Sequence, residues 1–172
     1  ILARLAFRQT VPTNVIHVEV IAKLSTVDIG YAAEFGYVIK LLAIGKTNHG
    51  SLELRVHPTM LPVKHPLSNV DGVYNAVFLN ADHAGDLLFY GKGAGMMPTA
   101  SAVMSDVVDI GKQIAGQKEF ANAIPEKLSS AKVLPIGAIR SMYYLRFQVM
   151  DKPGVLGRIA LALGKNNISI LS

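Results

Sequence analysis

The chain has 172 residues, a formal net charge of +5 at pH 7, 51% hydrophobic and 17% charged side chains, and no cysteine. This composition supports a sizeable core and excludes a disordered chain. The lack of cysteine excludes disulfides and thiol chemistry and fits a reducing compartment such as the cytoplasm. The length suits one ordinary domain, or a domain with a small module. The 17 Lys and Arg residues are scattered, with no cluster and no interleaved aromatic stripe. The positive balance therefore reads as solvated surface rather than a nucleic-acid footprint. No apolar run reaches membrane-spanning length, and residues 1–8 lack the plan of a signal peptide.

Residues 1–8 read as the tail of a helix, with Leu2, Leu5 and Ala6 at helical spacing and Pro12 as the break. Residues 15–21 read as a strand. Ser25 and Asp28 have capping-box spacing, so a helix is expected through Phe35, with Gly36 placed to stop it. Residues 37–45 form an apolar strand, and 47–50 turn it into a second strand over 51–57. There Leu52, Leu54 and Val56 alternate with Glu53 and Arg55, which predicts a hairpin with one wet face. Pro58, Pro62 and Pro66 punctuate a loop. Two more strands are expected near 72–80 and 86–91, joined by a turn at 80–85, then a helix from Pro98 to Ala115.

The expected fold class is α+β, a sheet of four or five mostly antiparallel strands covered by helices on one face. Residues 116–139 read as a linker. A strand at 142–149, a helix at 153–164 and a second strand at 167–171 then form a βαβ unit. Pro153 marks the helix start, and Gly164 with Asn166 its end.

The strongest candidate site lies at residues 89–103. An aromatic strand runs into Gly91, Gly93 and Gly95, then Pro98, Thr99 and a helix. Glycine permits positive φ and close backbone approach, and the unpaired amides of a helix start favour negative charge. A tight turn with no ligand gives the same local pattern. The five histidines (His17, His49, His57, His65 and His83) show no metal-ligand spacing and no acidic cluster, so no metal site is expected. His57 and His65 flank the Pro-rich loop, where lining a cleft and plain loop packing both remain open. There is no Gly-x-Ser-x-Gly elbow. Asp106 and Asp109 share a helix face as solvated acids, and Lys40 reads as snorkelling from a strand edge.

The run Tyr90-Gly91-Lys92-Gly93-Ala94-Gly95, continued by Pro98-Thr99-Ala100-Ser101-Ala102-Val103, resembles the glycine-rich segment of bacterial homoserine dehydrogenases. Further segments resemble the same family in the same order: residues 28–32 with 35–43, Val56-His57-Pro58-Thr59 leading to His65-Pro66-Leu67, and residues 70–76. Asp151-Lys152-Pro153-Gly154-Val155-Leu156 resembles the opening of an ACT regulatory module.

The resemblance implies residues 1–115 as the C-terminal part of the catalytic, substrate-binding domain, 116–139 as the linker and 140–172 as the first half of an ACT module. It implies NADP or NAD as cofactor, with Gly93, Ala94, Gly95 and Thr99 on its nicotinamide side. It implies homoserine and aspartate 4-semialdehyde as substrates, a place in threonine and methionine biosynthesis, cytoplasmic location, and a homodimer or higher homo-oligomer. Asp151, Gly154 and Val155 would contact an amino-acid effector such as threonine. It also implies that both ends are cuts: the nucleotide-binding domain, the catalytic lysine and its acidic partners would precede Ile1. No G-x-G-x-x-G follows an early strand here. The alternative from another class is a non-catalytic, amino-acid-sensing interaction protein built on the ACT-like unit.

Overall fold

Helix α1 (Leu2–Phe7) opens the chain and closes on Arg8, whose φ of 51° lies in the left-handed region. The computed structural model describes residues 1–116 and 128–170. The chain divides into two units, Ile1–Ile139 and Arg140–Ser172.

In the first unit α1 leads into the short strand β1 (Gln9–Thr10). Residues 15–21, expected as one strand, give only β2 (His17–Val18), flanked by 3-10 turns at Thr13–Val15 and Ile21–Lys23. Helix α2 (Thr26–Glu34) begins on a complete capping box. Asp28 N donates to Ser25 Oγ, and Ser25 N donates to Asp28 Oδ2, both at 3.2 Å. Gly36, at φ 78°, reverses the chain directly after the helix.

Strands β3 (Tyr37–Asn48) and β4 (Ser51–Pro62) pair antiparallel over their whole lengths, from Tyr37 opposite Pro62 to Asn48 opposite Ser51. His49 and Gly50, at φ 44° and 77°, make the turn. β2 lies parallel on the other edge of β4, with His17 opposite Arg55 and Val18 opposite Val56. Gly45 lets α1 dock on this sheet: a Cβ there would lie 3.0 Å from Phe7 Cε2 and 3.3 Å from Leu54 Cδ2. Leu52, Leu54, Leu61, Ala32 and Ile139 are buried and form the core. Each large aliphatic side chain so buried contributes about 1.5–3 kcal/mol.

Two expectations for this hairpin fail. Pro58 and Pro62 are not in a loop but in β4. Pro58 pairs with Leu41 where β4's second edge carries no ladder among the described residues, because β2 pairs only with Arg55 and Val56. A missing N–H is tolerated at such an edge. The wet face is also absent, since Glu53 and Arg55 are as buried as Leu52 and Leu54. They neutralise each other as an ion pair. Residues 129–134 return to the edges of β1 and β4. β7 (Ser129–Ser130) runs parallel to β1, Leu52 N donates to Lys132 O, and Leu134 N donates to Leu52 O. So of the expected linker 116–139, residues 128–139 are bonded into the first unit, while 117–127 lie outside the described residues.

β5 (Tyr74–Ala81) and β6 (Gly85–Lys92) form a second hairpin. Among the described residues the single sheet expected from the sequence is instead three separate ladders: β1–β7, β2–β4–β3 and β5–β6. The segment before β5 meets β3 through a side chain rather than through a backbone ladder: Lys40 Nζ donates to Val70 O at 2.9 Å and pairs with Asp71. α2 packs on β3. Helix α3 (Met96–Ile114) has no buried residue, so its apolar stripe covers no sheet within the described chain.

In the second unit α4 (Val155–Lys165) starts after Gly154 at φ 82°, two residues later than expected from Pro153. It ends in a Schellman motif, with Asn167 at φ 54°, Asn167 N donating to Gly164 O and Ile168 N to Leu163 O, both at 3.0 Å. The expected strand at 142–149 carries no ladder, and neither do residues 168–170; Leu171 lies outside the described residues. A strand needs a hydrogen-bonded neighbour, and none is found among the described residues. Phe147 instead lines an apolar groove of about 390 Å3 with Val155, Arg158, Ile159, Ala162 and Leu163.

Candidate functional site

The β5–β6 hairpin presents the glycine turn. Asp86 closes its far end by accepting from Asn80 Nδ2 at 2.6 Å. At the near end Tyr74 and Tyr90 stack with centroids 4.8 Å apart and planes 6° from parallel, and Lys92 Nζ sits 6.0 Å from the Tyr74 ring centroid. On the opposite face Asn75 stands across from Gly91. Past the strand, Gly93 N donates to Val73 O at 2.9 Å.

The three motif glycines differ in why they are glycine. Gly95 has φ 125° and ψ 151°, a region essentially closed to residues with a Cβ. A Cβ on Gly93 would overlap the Asn75 side-chain amide, whereas a Cβ on Gly91 meets nothing within 4 Å. Gly95 is the N-cap of α3, so the helix begins at Met96, two residues before the expected Pro98. Pro98 therefore occupies the third helical position, still in the first turn where its missing N–H costs nothing. Thr99 N donates to Gly95 O at 3.1 Å. The amides of Met96 and Met97 precede the first intrahelical bond, and both residues are exposed. No acidic side chain lies in this first turn. The turn thus offers two outward N–H groups at the positive end of a helix.

Gly93, Ala94, Gly95 and Thr99 stand together on this turn. Asp151, Gly154 and Val155 stand at the start of α4 in the other unit. There Val155 N donates to Lys152 O at 3.3 Å and Arg158 N to Gly154 O at 3.1 Å, so the intervening Leu156 and Gly157 amides face outward. A Cβ on Gly154 would meet nothing within 4 Å, but its φ of 82° favours glycine.

The two loop histidines have protein partners. Arg55 Nε donates to His57 Nε2 at 2.7 Å, which places the His57 proton on Nδ1, 2.8 Å from Pro58 O. His65 Nδ1 accepts from Leu67 N at 3.1 Å and caps the 3-10 turn Pro66–Asn69, while its ring packs on Phe78 at 5.1 Å. Lys40 is tethered rather than snorkelling freely. Among the described residues no group of three or more His, Asp or Glu converges as a metal site, and no helix is long and apolar enough to cross a membrane. Sequence reading missed Asn75 as a partner of the turn; the signal was the register, since a two-residue shift along the hairpin separates Gly91 from Gly93.

The family model described as homoserine dehydrogenase matches residues 1–108. Homoserine dehydrogenase of Neisseria gonorrhoeae is 44% identical over 99% of this chain, and that of Pseudomonas aeruginosa 42% identical over 100%. The crystal structure of a homoserine dehydrogenase from Thiobacillus denitrificans superposes with a TM-score of 0.89, at 39% identity, over 99% of this chain and 40% of its own. The chain spans 40% and 41% of the length of the Neisseria and Pseudomonas relatives. With a family model over residues 1–108 and relatives above 40% identity across its length, the chain belongs to the homoserine dehydrogenase family.

Proposed function

We propose that the chain is the C-terminal catalytic-domain portion of an NAD(P)-dependent enzyme that interconverts L-homoserine and L-aspartate 4-semialdehyde. The observation that carries this reading is identity above 40% across essentially the whole chain to two homoserine dehydrogenases. The glycine turn fits one wall of a dinucleotide site: space beside Gly91, a backbone at Gly95 that only glycine adopts readily, and two outward amides at Met96 and Met97. Gly93, Ala94, Gly95 and Thr99 would border the nicotinamide side. The bound dinucleotide would supply hydride donor and acceptor. The residues of this chain would orient it, exclude water and hold its polar groups by backbone N–H donation.

The proton relay would belong to residues outside this chain, as the resemblance implies for the catalytic lysine and its acidic partners; within the chain, Lys40 and His57 are occupied. Both are held by protein partners. Exposed apolar side chains on the ladders, among them Leu41, Leu87 and Leu88, support a homodimer built through this domain. Residues 140–172 would form part of an ACT module, with Asp151, Gly154 and Val155 meeting an amino-acid effector, threonine being the class to try first. Outward amides at the start of α4 suit its carboxylate. The cytoplasm is the compartment this chemistry expects.

The test is steady-state kinetics of the full-length protein with L-homoserine and either NADP or NAD. Homoserine-dependent reduction of one of them is expected. A pure, folded protein that reduces neither overturns the reading.

A further inference from the structure

We infer that Asn75 is a positioning residue for the glycine turn, and that residue 93 is glycine because of Asn75 rather than because a ligand needs the space. The inference rests on the dehydrogenase reading for its kinetic readout, and on the hairpin geometry alone for its cause.

Three consecutive residues of the chain grip the segment that leads into the turn. Val73 O accepts from Gly93 N at 2.9 Å. Tyr74 stacks on Tyr90 at 4.8 Å on one face. Asn75 stands opposite Gly91 on the other face, and its amide fills the volume that a Cβ on residue 93 would take. Residues 73–75 therefore border residues 90–93 on both faces, through a backbone hydrogen bond, a ring stack and the exposed Asn75 side chain. Past Gly93 the chain has only Ala94 before Gly95, whose φ of 125° starts α3. A displacement at residue 93 is thus passed within two residues to the outward amides of Met96 and Met97. Small misplacements of positioning groups have large kinetic costs.

The structure assigns the three glycines separate tasks. Gly95 answers to its own backbone, Gly93 answers to Asn75, and Gly91 alone faces open space within the described chain.

Size complementation tests the pair in the full-length protein. Gly93→Ala puts a methyl group where the Asn75 amide lies. It is expected to raise the dinucleotide KM by about fivefold or more while changing kcat less. Adding Asn75→Ala to Gly93→Ala vacates that volume and is expected to return the KM to within about twofold of the Asn75→Ala single variant. The thermal midpoint should fall and recover in the same order. If Asn75→Ala leaves the Gly93→Ala defect intact, the methyl obstructs the ligand itself and the inference is overturned. A silent Gly93→Ala, in both KM and melting, overturns it equally. A wild-type protein with no homoserine-dependent turnover is a different result: it ends the dehydrogenase reading, while the melting series still decides the pair.

Discussion

Glu53 and Arg55 form an ion pair on one face of β4, with only 10% and 7% of their side-chain surfaces exposed. Arg55 also donates to His57 Nε2, so a carboxylate, a guanidinium and an imidazole follow each other at every second residue of the strand. In a strand, residues two apart share a face, and here that face is covered rather than wet. Removing one partner leaves the other charge buried and uncompensated. Arg55→Met is expected to destabilise the protein by about 3–5 kcal/mol, whereas Glu53→Leu combined with Arg55→Met should cost far less. Urea unfolding of the two variants checks this. Equal losses would mean that the pair is not what matters at this face.

Gly95→Ala should cost about 1–3 kcal/mol of stability, because φ 125° with ψ 151° is a conformation that a Cβ resists. The methyl itself has room, at 3.4 Å from Pro98 Cδ, so the penalty is one of backbone conformation rather than of space. The same variant should raise the dinucleotide KM as the start of α3 shifts. Melting and kinetics measured together decide it. An unchanged melting curve with unchanged kinetics would remove Gly95 from the account.

Lys40 joins β3 to the segment before β5 through Val70 O and Asp71. Lys40→Met keeps most of the aliphatic stem and loses both contacts, and is expected to destabilise by about 1 kcal/mol. Asp71 is 77% exposed, so Asp71→Asn should cost less than Lys40→Met. The opposite order in denaturant unfolding would place the weight on the ion pair instead of the carbonyl.

Glu19 gives a pH prediction. Its hydrogen bond with His17, at 2.7 Å, holds the Glu19 carboxyl below its ordinary value, with the charge of His17 adding to the effect. A carboxyl lowered in the folded state stabilises it above the unfolded value, and that contribution is lost as pH falls through the folded one. The carboxylate is exposed, so the effect is below about 1 kcal/mol. Wild type should exceed Glu19→Gln in stability while the Glu19 carboxyl is ionised, and the gap should close as pH falls through that carboxyl's own range. A gap that persists once the carboxyl is protonated contradicts the assignment.

Local signals in the sequence were strong where a few adjacent residues decide the backbone. Ser25 with Asp28, Gly36 after α2, and the turn into Ser51 were legible because each satisfies or redirects the chain by itself. So was the β5–β6 hairpin with its turn. The failures share one cause, which is that the deciding group is distant in sequence. Alternation at residues 51–57 predicted a wet face, but Glu53 and Arg55 are buried there as an ion pair, and the edge of the strand at Leu52 is bonded to Lys132 and Leu134, far along the chain. Pro58 reads as a loop residue until the shortness of β2 is known. Residues 142–149 have strand-like composition, but a strand exists only against a neighbour.

For the candidate site, the glycine turn was legible as a motif. The division of labour among its glycines was not, because Asn75 reaches Gly93 through the pairing register.

In the proposed function these 172 residues would lend a cofactor-facing turn and a substrate-domain sheet to a larger dehydrogenase. The most direct measurement compares L-homoserine-dependent reduction of NADP, or of NAD, by the full-length protein and by the isolated chain, each against a heat-killed control. Turnover is expected of the full-length protein and none of the isolated chain, which has no dinucleotide fingerprint. Turnover by the isolated chain, or a full-length protein that oxidises no homoserine, would contradict it.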